Sequence, residues 1–246
     1  NIFKMAGKKA VKFSFLIEDP KIWKQYKESY AVVFQKFCLN PKKRILKGLD
    51  EWFQNEFGKE IHERNPHHLV KEDLKKLMEW KLTRGKFRPR LTQMIAENKE
   101  EDIRTYSEEA FKNIDDPKKC IERLCKLRAV GPATASAILT AYKPEKYAFM
   151  ADEAVQSVLS GKIDYTLKYY LKFLDEVRLK AKQLSATDDT TWTPHQIEIC
   201  LWTAAMATKL DVNMSNEVKE EKPGSKRKST DQLETSKKAK KVKSKN

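Results

Sequence analysis

The chain has 246 residues, 40% of them hydrophobic and 35% charged, which supplies one sizeable core and excludes a wholly disordered protein. Lys and Arg number 50 against 35 Asp and Glu, a formal charge of +15, so a polyanionic partner is expected, either nucleic acid or an acidic membrane surface. The longest uncharged run, 129–142, is shorter than the ~18–20 residues of a membrane span and contains Gly131 and Pro132, so no membrane partner is expected.

Residues 1–12 hold four lysines and no acid and are expected to be a disordered basic N-terminus. Met5 is a candidate start of translation, and without Arg or Ser the stretch makes a poor transit peptide. Helical signals then follow one another, several opened by a capping residue with proline behind it: Asp19-Pro20, Asn40-Pro41, Asp116-Pro117 and Thr193-Pro194. The first pair leads an apolar stripe of Ile22, Trp23, Tyr26, Tyr30, Val33, Phe34 and Phe37 at spacings of three and four, one helix face. The second leads Ile45, Leu46, Leu49, Trp52, Phe53 and Phe57 in the same way. Further helices are predicted over roughly 70–83, 89–98, 99–113, 117–127, 132–142, 151–159, 165–185 and 194–209. In the last, Thr193 and Gln196 form a capping-box pattern, and Trp192 and Trp202 read as core anchors. No stretch alternates as a strand does. An all-α body of about ten helices is predicted, with residues 13–59 and 165–210 as one lobe and 60–164 as the other.

Residues 211–246 are expected to be a disordered Lys-rich tail; from 215 onward it holds 11 Lys/Arg and 5 Asp/Glu. Lys226, Arg227 and Lys228 precede a second cluster, Lys237, Lys238, Lys240 and Lys241. That is the two-cluster form of a basic nuclear-import signal, which implies an import receptor as partner and a nuclear location; the alternative is a solvated tail. Cys38, Cys120, Cys125 and Cys200 are too scattered for a metal cluster with His62, His67, His68 and His195. They are expected to be reduced thiols of an intracellular protein, and no metal and no cofactor is predicted.

Two segments carry chemistry. In Cys125 to Leu139 an apolar helix ends, a short connection turns on the conformationally permissive Gly131, and Pro132 opens a helix rich in small residues. Such a turn leaves backbone N–H groups and a helix dipole facing an anion, with Lys126 and Arg128 beside it and the Thr134 hydroxyl in the first turn. The alternative is a plain interhelical turn. Trp80 to Leu91 places Lys81, Arg84, Lys86, Arg88 and Arg90 around Trp80 and Phe87, cations for phosphates and aromatics for base stacking or wedging. The alternative there is a basic loop with both aromatics in the core.

Leu127 to Ala135 resembles the hairpin signature of the helix-hairpin-helix DNA glycosylase superfamily, Leu-x-Gly-Val-Gly-x-x-Thr-Ala, with Val130, Gly131 and Thr134 on matching positions. Pro144 falls in the following loop, and Ala151-Asp152-Glu153-Ala154-Val155 stands where the family has Val-Asp-Thr-His-Val. The Trp80 to Leu91 stretch, together with Val-Gly-Pro-Ala-Thr-Ala-Ser and Phe-Met-Ala-Asp-Glu-Ala, resembles a eukaryotic branch of it. The resemblance implies a two-lobed helical fold, a monomer, and damaged duplex DNA from which a base is flipped and excised, with Asp152 as the catalytic carboxylate. Ala133 stands where strand-cutting members have their lysine, which implies base excision alone from that position. Ala129 replaces the first hairpin glycine, Glu153-Ala154 replaces Thr-His, the strand-sensing loop has no counterpart, and the iron–sulfur cysteines are absent. On residues alone Asp152 also reads as a helix cap. A catalytically inactive nucleic-acid-binding module and a nuclear protein-interaction scaffold stay open beside the enzyme.

Overall fold

In the computed structural model, which describes residues 13–187 and 189–214, three of the four cap-plus-proline pairs start α-helices, while Asn40-Pro41 starts only a three-residue 3-10 turn and the helix expected to follow from it begins separately at Leu46. The side chains of Asp19, Asn40 and Asp116 accept from backbone N–H groups two or three residues on, at 2.9–3.0 Å. Thr193 and Gln196 close the capping box, each side chain accepting the other's N–H at 3.2 Å.

The elements in order are α1 (Pro20–Glu28), α2 (Tyr30–Cys38), a 3-10 turn (Pro41–Lys43), α3 (Leu46–Asn55), α4 (Phe57–Glu63), α5 (Lys71–Arg84), α6 (Pro89–Ala96), α7 (Glu100–Lys112), α8 (Pro117–Leu124), α9 (Pro132–Tyr142), α10 (Asp152–Val158), α11 (Leu167–Thr187) and α12 (Pro194–Lys209). No strand occurs among the described residues, so the all-α expectation holds. Two predicted helices are each broken. The first stripe divides at Ser29, whose hydroxyl donates to the Gln25 carbonyl at 2.8 Å and competes with the helical ladder. The second divides around Glu56, which lets Phe57 turn inward to stack on Trp52 with centroids 4.3 Å apart. The next residue, Gly58, lies so close to α9 that a Cβ there would meet the Ala141 carbonyl oxygen at 2.2 Å.

α12 is buried on nearly all sides, with Ile197, Cys200, Leu201, Trp202, Met206 and Ala207 in the core, and it packs against α1, α2, α10 and α11. α3, α4, α5 and α9 form a second packed group, with α6 on α5 and α8 linking α7 to α9. The chain stays packed beyond the predicted tail boundary at 211. Val212 donates its N–H to the Ala207 carbonyl, Met214 accepts from Gln25, and both apolar side chains lie against the core. Residues 1–12 and the two lysine clusters lie outside the described residues.

Candidate functional site

Between α8 and α9 the chain turns back on itself within residues 125–131. The residue at positive φ is Ala129, at 61°, and Gly131 has φ −103° and ψ −177°, ordinary extended backbone. The expectation that Gly131 supplies the permissive conformation is therefore corrected: an alanine carries the left-handed position. Gly131 is exposed, and a Cβ on it would meet nothing within 4 Å. Thr134 and Ala135 both return their N–H groups to the Gly131 carbonyl at 2.9 Å, while the N–H groups of Gly131 and Ala133 bond to no described residue. Those two donors are what the turn offers an anion.

The turn is held from below by Asn98, a residue that belongs to no motif in the sequence. Asn98, 5% exposed, accepts the Arg128 N–H at 2.8 Å and donates to the carbonyls of Arg128 and Ile95. Lys126 and Arg128 themselves are exposed; Lys126 lies 5.4 Å above the Tyr106 ring and Arg128 pairs with Glu97 at 2.6 Å.

A cleft of about 910 Å³ runs between the α2–α12 side and the α5–α9 side, within the usual range for a ligand site. Its walls bring together Val130, Gly131 and Thr134 of the turn, Arg84, Lys86 and Arg88, and Asp152 and Glu153. Ala151, not Asp152, is the N-cap of α10, and no side-chain capping bond is made there. The Asp152 carboxylate is instead turned to the cleft, where Tyr165 donates its hydroxyl to Oδ1 at 2.7 Å and Lys86 Nζ lies 3.6 Å from Oδ2. Burial first, then the bond to Asp152, pushes the Tyr165 phenol up to about 12, so it remains a donor. Arg88 lies 6.0 Å from the Tyr165 ring.

The basic segment divides in two. Lys86, Phe87 and Arg88 form the exposed loop between α5 and α6, with Phe87 76% exposed, and Arg90 is exposed on α6 and outside the cleft lining. Trp80 and Arg84 depart from their expected role as nucleic-acid contacts. Trp80 is fully buried, stacked on Phe53 at 3.8 Å and donating to Asp50 at 2.9 Å, because α5 turns its ring into the core. Arg84 underlies the cleft wall, 5% exposed, paired with buried Glu198 at 3.3 Å and enclosed by the rings of Trp80, Phe149 and Trp202. A group so engaged cannot reach a phosphate. Thr134 is 3% exposed, which leaves its hydroxyl little access.

Two more lysines belong to the site. Lys43 donates to the carbonyls of Thr83, Arg84 and Gly85 and so closes the end of α5, and Lys81 lines the cleft from that helix. Trp192 and Trp202 are core, and His195 is held by Gln54 at 2.8 Å. All four cysteines are free, and burial pushes the cleft thiol of Cys125 up to about 11. Among the described residues no group of three His, Cys, Asp or Glu could hold a metal, and no helix is long and apolar enough to cross a membrane. Compared with known proteins, the chain matches no family model, no curated protein and no solved structure.

Proposed function

We propose that this chain is a nuclear DNA-binding protein with a two-lobed helix-hairpin-helix glycosylase fold, which removes a damaged or mismatched base by hydrolysing its N-glycosidic bond. One observation carries the reading: a single cleft holds the hairpin turn, the Lys86–Arg88 loop and the Asp152 carboxylate, three segments far apart in sequence. A flipped nucleotide in that cleft has its anomeric carbon served by Asp152, whose negative charge stabilises the positive charge that develops as the base departs. The free N–H groups of Gly131 and Ala133 receive a backbone phosphate, with Lys126 and Arg128 beside them. Lys86 and Arg88 meet flanking phosphates, and Phe87 fills the gap left in the base stack. The protein acts as a monomer on duplex DNA, without metal or cofactor, and enters the nucleus through the basic tail bound to an import receptor.

The Lys86–Asp152 pair gives a binding-only protein a specific footing, since a carboxylate already neutralised by a loop lysine is poorly placed for catalysis. In the enzyme, phosphate draws Lys86 away as DNA enters. Duplexes bearing uracil, hypoxanthine, alkylated or oxidised bases, incubated with the chain and then heated in alkali, test the choice. Strand scission at one lesion class supports excision. Salt-sensitive binding that survives deletion of 215–246, with no scission on any duplex, supports the binding-only protein.

A further inference from the structure

Base removal leaves a sugar whose C1′ hemiacetal opens to a free aldehyde, so the proposed reaction creates a carbonyl inside the cleft. Ala133 offers no amine to it, but α5 does. Lys81, in the last turn of α5, lines the same cleft as Asp152. Of the other cations in the lining, Lys36 is held on the Asp211 carbonyl, Lys43 on the α5 carbonyls, Arg84 on Glu198 and Lys86 on Asp152, while Arg88 and Lys209 are exposed. The Lys81 ammonium makes no hydrogen bond, ion pair or ring contact with a described residue. Burial in the wall lowers its proton affinity, the Arg88 charge lowers it further, and Asp152 opposes both, so the neutral amine is more accessible than in an ordinary lysine.

We propose that Lys81 is an imine-forming nucleophile toward the aldehyde of an abasic sugar, which gives the cleft a strand-cutting activity beyond base removal. The proposal rests on the base-excision reading. The neutral Nζ lone pair bonds to C1′ while the carbonyl pair moves to oxygen, and that oxygen, protonated, leaves as water. The resulting iminium acidifies C2′. Asp152 takes a C2′ proton, its electron pair forms the C2′–C3′ double bond, and the C3′–O bond breaks with its pair leaving on the 3′ phosphate. Water then cleaves the imine, returning the Lys81 amine and releasing an unsaturated aldehyde; nothing is oxidised or reduced overall.

The test uses the full chain and a duplex carrying a preformed abasic site, so that no excision is needed first. Borohydride reduces any imine to a stable amine, and peptide mapping by mass spectrometry locates the adduct. Lys81→Arg and Lys81→Gln are run in parallel, with binding to a duplex bearing a tetrahydrofuran abasic analogue, which has no aldehyde, as the control. The expected result is an adduct on Lys81 in the wild-type chain and trapping reduced about tenfold or more in both variants, with analogue binding retained. An adduct mapped only to other lysines, or trapping undiminished in folded variants, overturns the proposal and leaves base excision standing. Failure to bind either duplex overturns both. Mapping on the wild-type chain decides the matter even where a variant does not fold.

Discussion

Ala129 holds the one conformation in the hairpin that an L side chain resists, at φ 61°, and the left-handed region costs such a residue roughly 1–2 kcal/mol. Glycine there removes that strain but loses more entropy on folding, so Ala129→Gly is expected to stabilise the chain by about 1 kcal/mol or less in urea unfolding. Gly131 is the opposite case. Its extended backbone and open surroundings accept a methyl, so Gly131→Ala leaves stability within about 0.5 kcal/mol of wild type. The same methyl is added beside the free N–H of Gly131, and duplex affinity, measured by titration, is expected to fall. Unchanged affinity would remove the turn from the proposed interface. The glycine in the motif was legible in the sequence, but its backbone angle was not, because two small residues two positions apart give the same pattern of permissive turn.

At the scale of the element, two braces hold the site, and neither has a local signature. Asn98 ties the end of α6 to the hairpin through three hydrogen bonds, with its partner Arg128 thirty residues away. Asn98→Ala leaves the partly buried N–H and carbonyl of Arg128 without their partner, and a loss of about 1–2 kcal/mol is expected by chemical unfolding, with duplex affinity falling as the turn loosens. Tyr165 braces Asp152 from the loop after α10. Folding raises its phenol from 10.0 to about 12, so its contribution to stability is whole below pH 10 and is lost as pH rises through 12. The stability difference between wild type and Tyr165→Phe should therefore be flat from pH 7 to 10 and shrink above it, while a difference that grows with alkali would contradict the bond. The helix caps, by contrast, were legible at all four proline pairs because a cap is satisfied within three residues. The breaks at Ser29 and Glu56 were not: a serine that bonds the carbonyl four residues back fits an unbroken apolar stripe equally well, and the break at Glu56 goes with the packing of α4 on α9.

Across the whole molecule, the helices meet over a buried polar centre: Arg84 with Glu198, and Asp50 accepting from both Tyr30 and Trp80. It joins α2, α3, α5 and α12, the elements on either side of the cleft. Arg84→Met leaves Glu198 in the core with only His195 Nδ1, 3.6 Å away, beside its carboxylate, and is expected to cost about 3–5 kcal/mol, with much of it recovered in the double variant Arg84→Met/Glu198→Met. Equal loss in the single and double variants would show that the cost lies in losing Arg84 from its place among the rings and not in stranding the Glu198 charge. Composition already pointed to a basic protein and periodicity to a helical one, and the resemblance of the hairpin segment singled out Asp152. What composition could not separate was Arg84 from Lys86, two basic residues two positions apart, one sealed among three aromatic rings and the other in solvent. That separation depends on which way α5 ends, and Lys43, from a different segment, fixes the end.

The Asp152 carboxylate is where the proposed chemistry converges, and Asp152→Asn changes its charge with almost no change of shape. The most direct measurement is the single-turnover excision rate of the wild-type chain and of Asp152→Asn on the duplex that the wild type cleaves best, with analogue-duplex affinity recorded for both. A fall in rate of about a hundredfold or more with affinity retained is the expected result. Excision by Asp152→Asn at the wild-type rate would contradict the central claim.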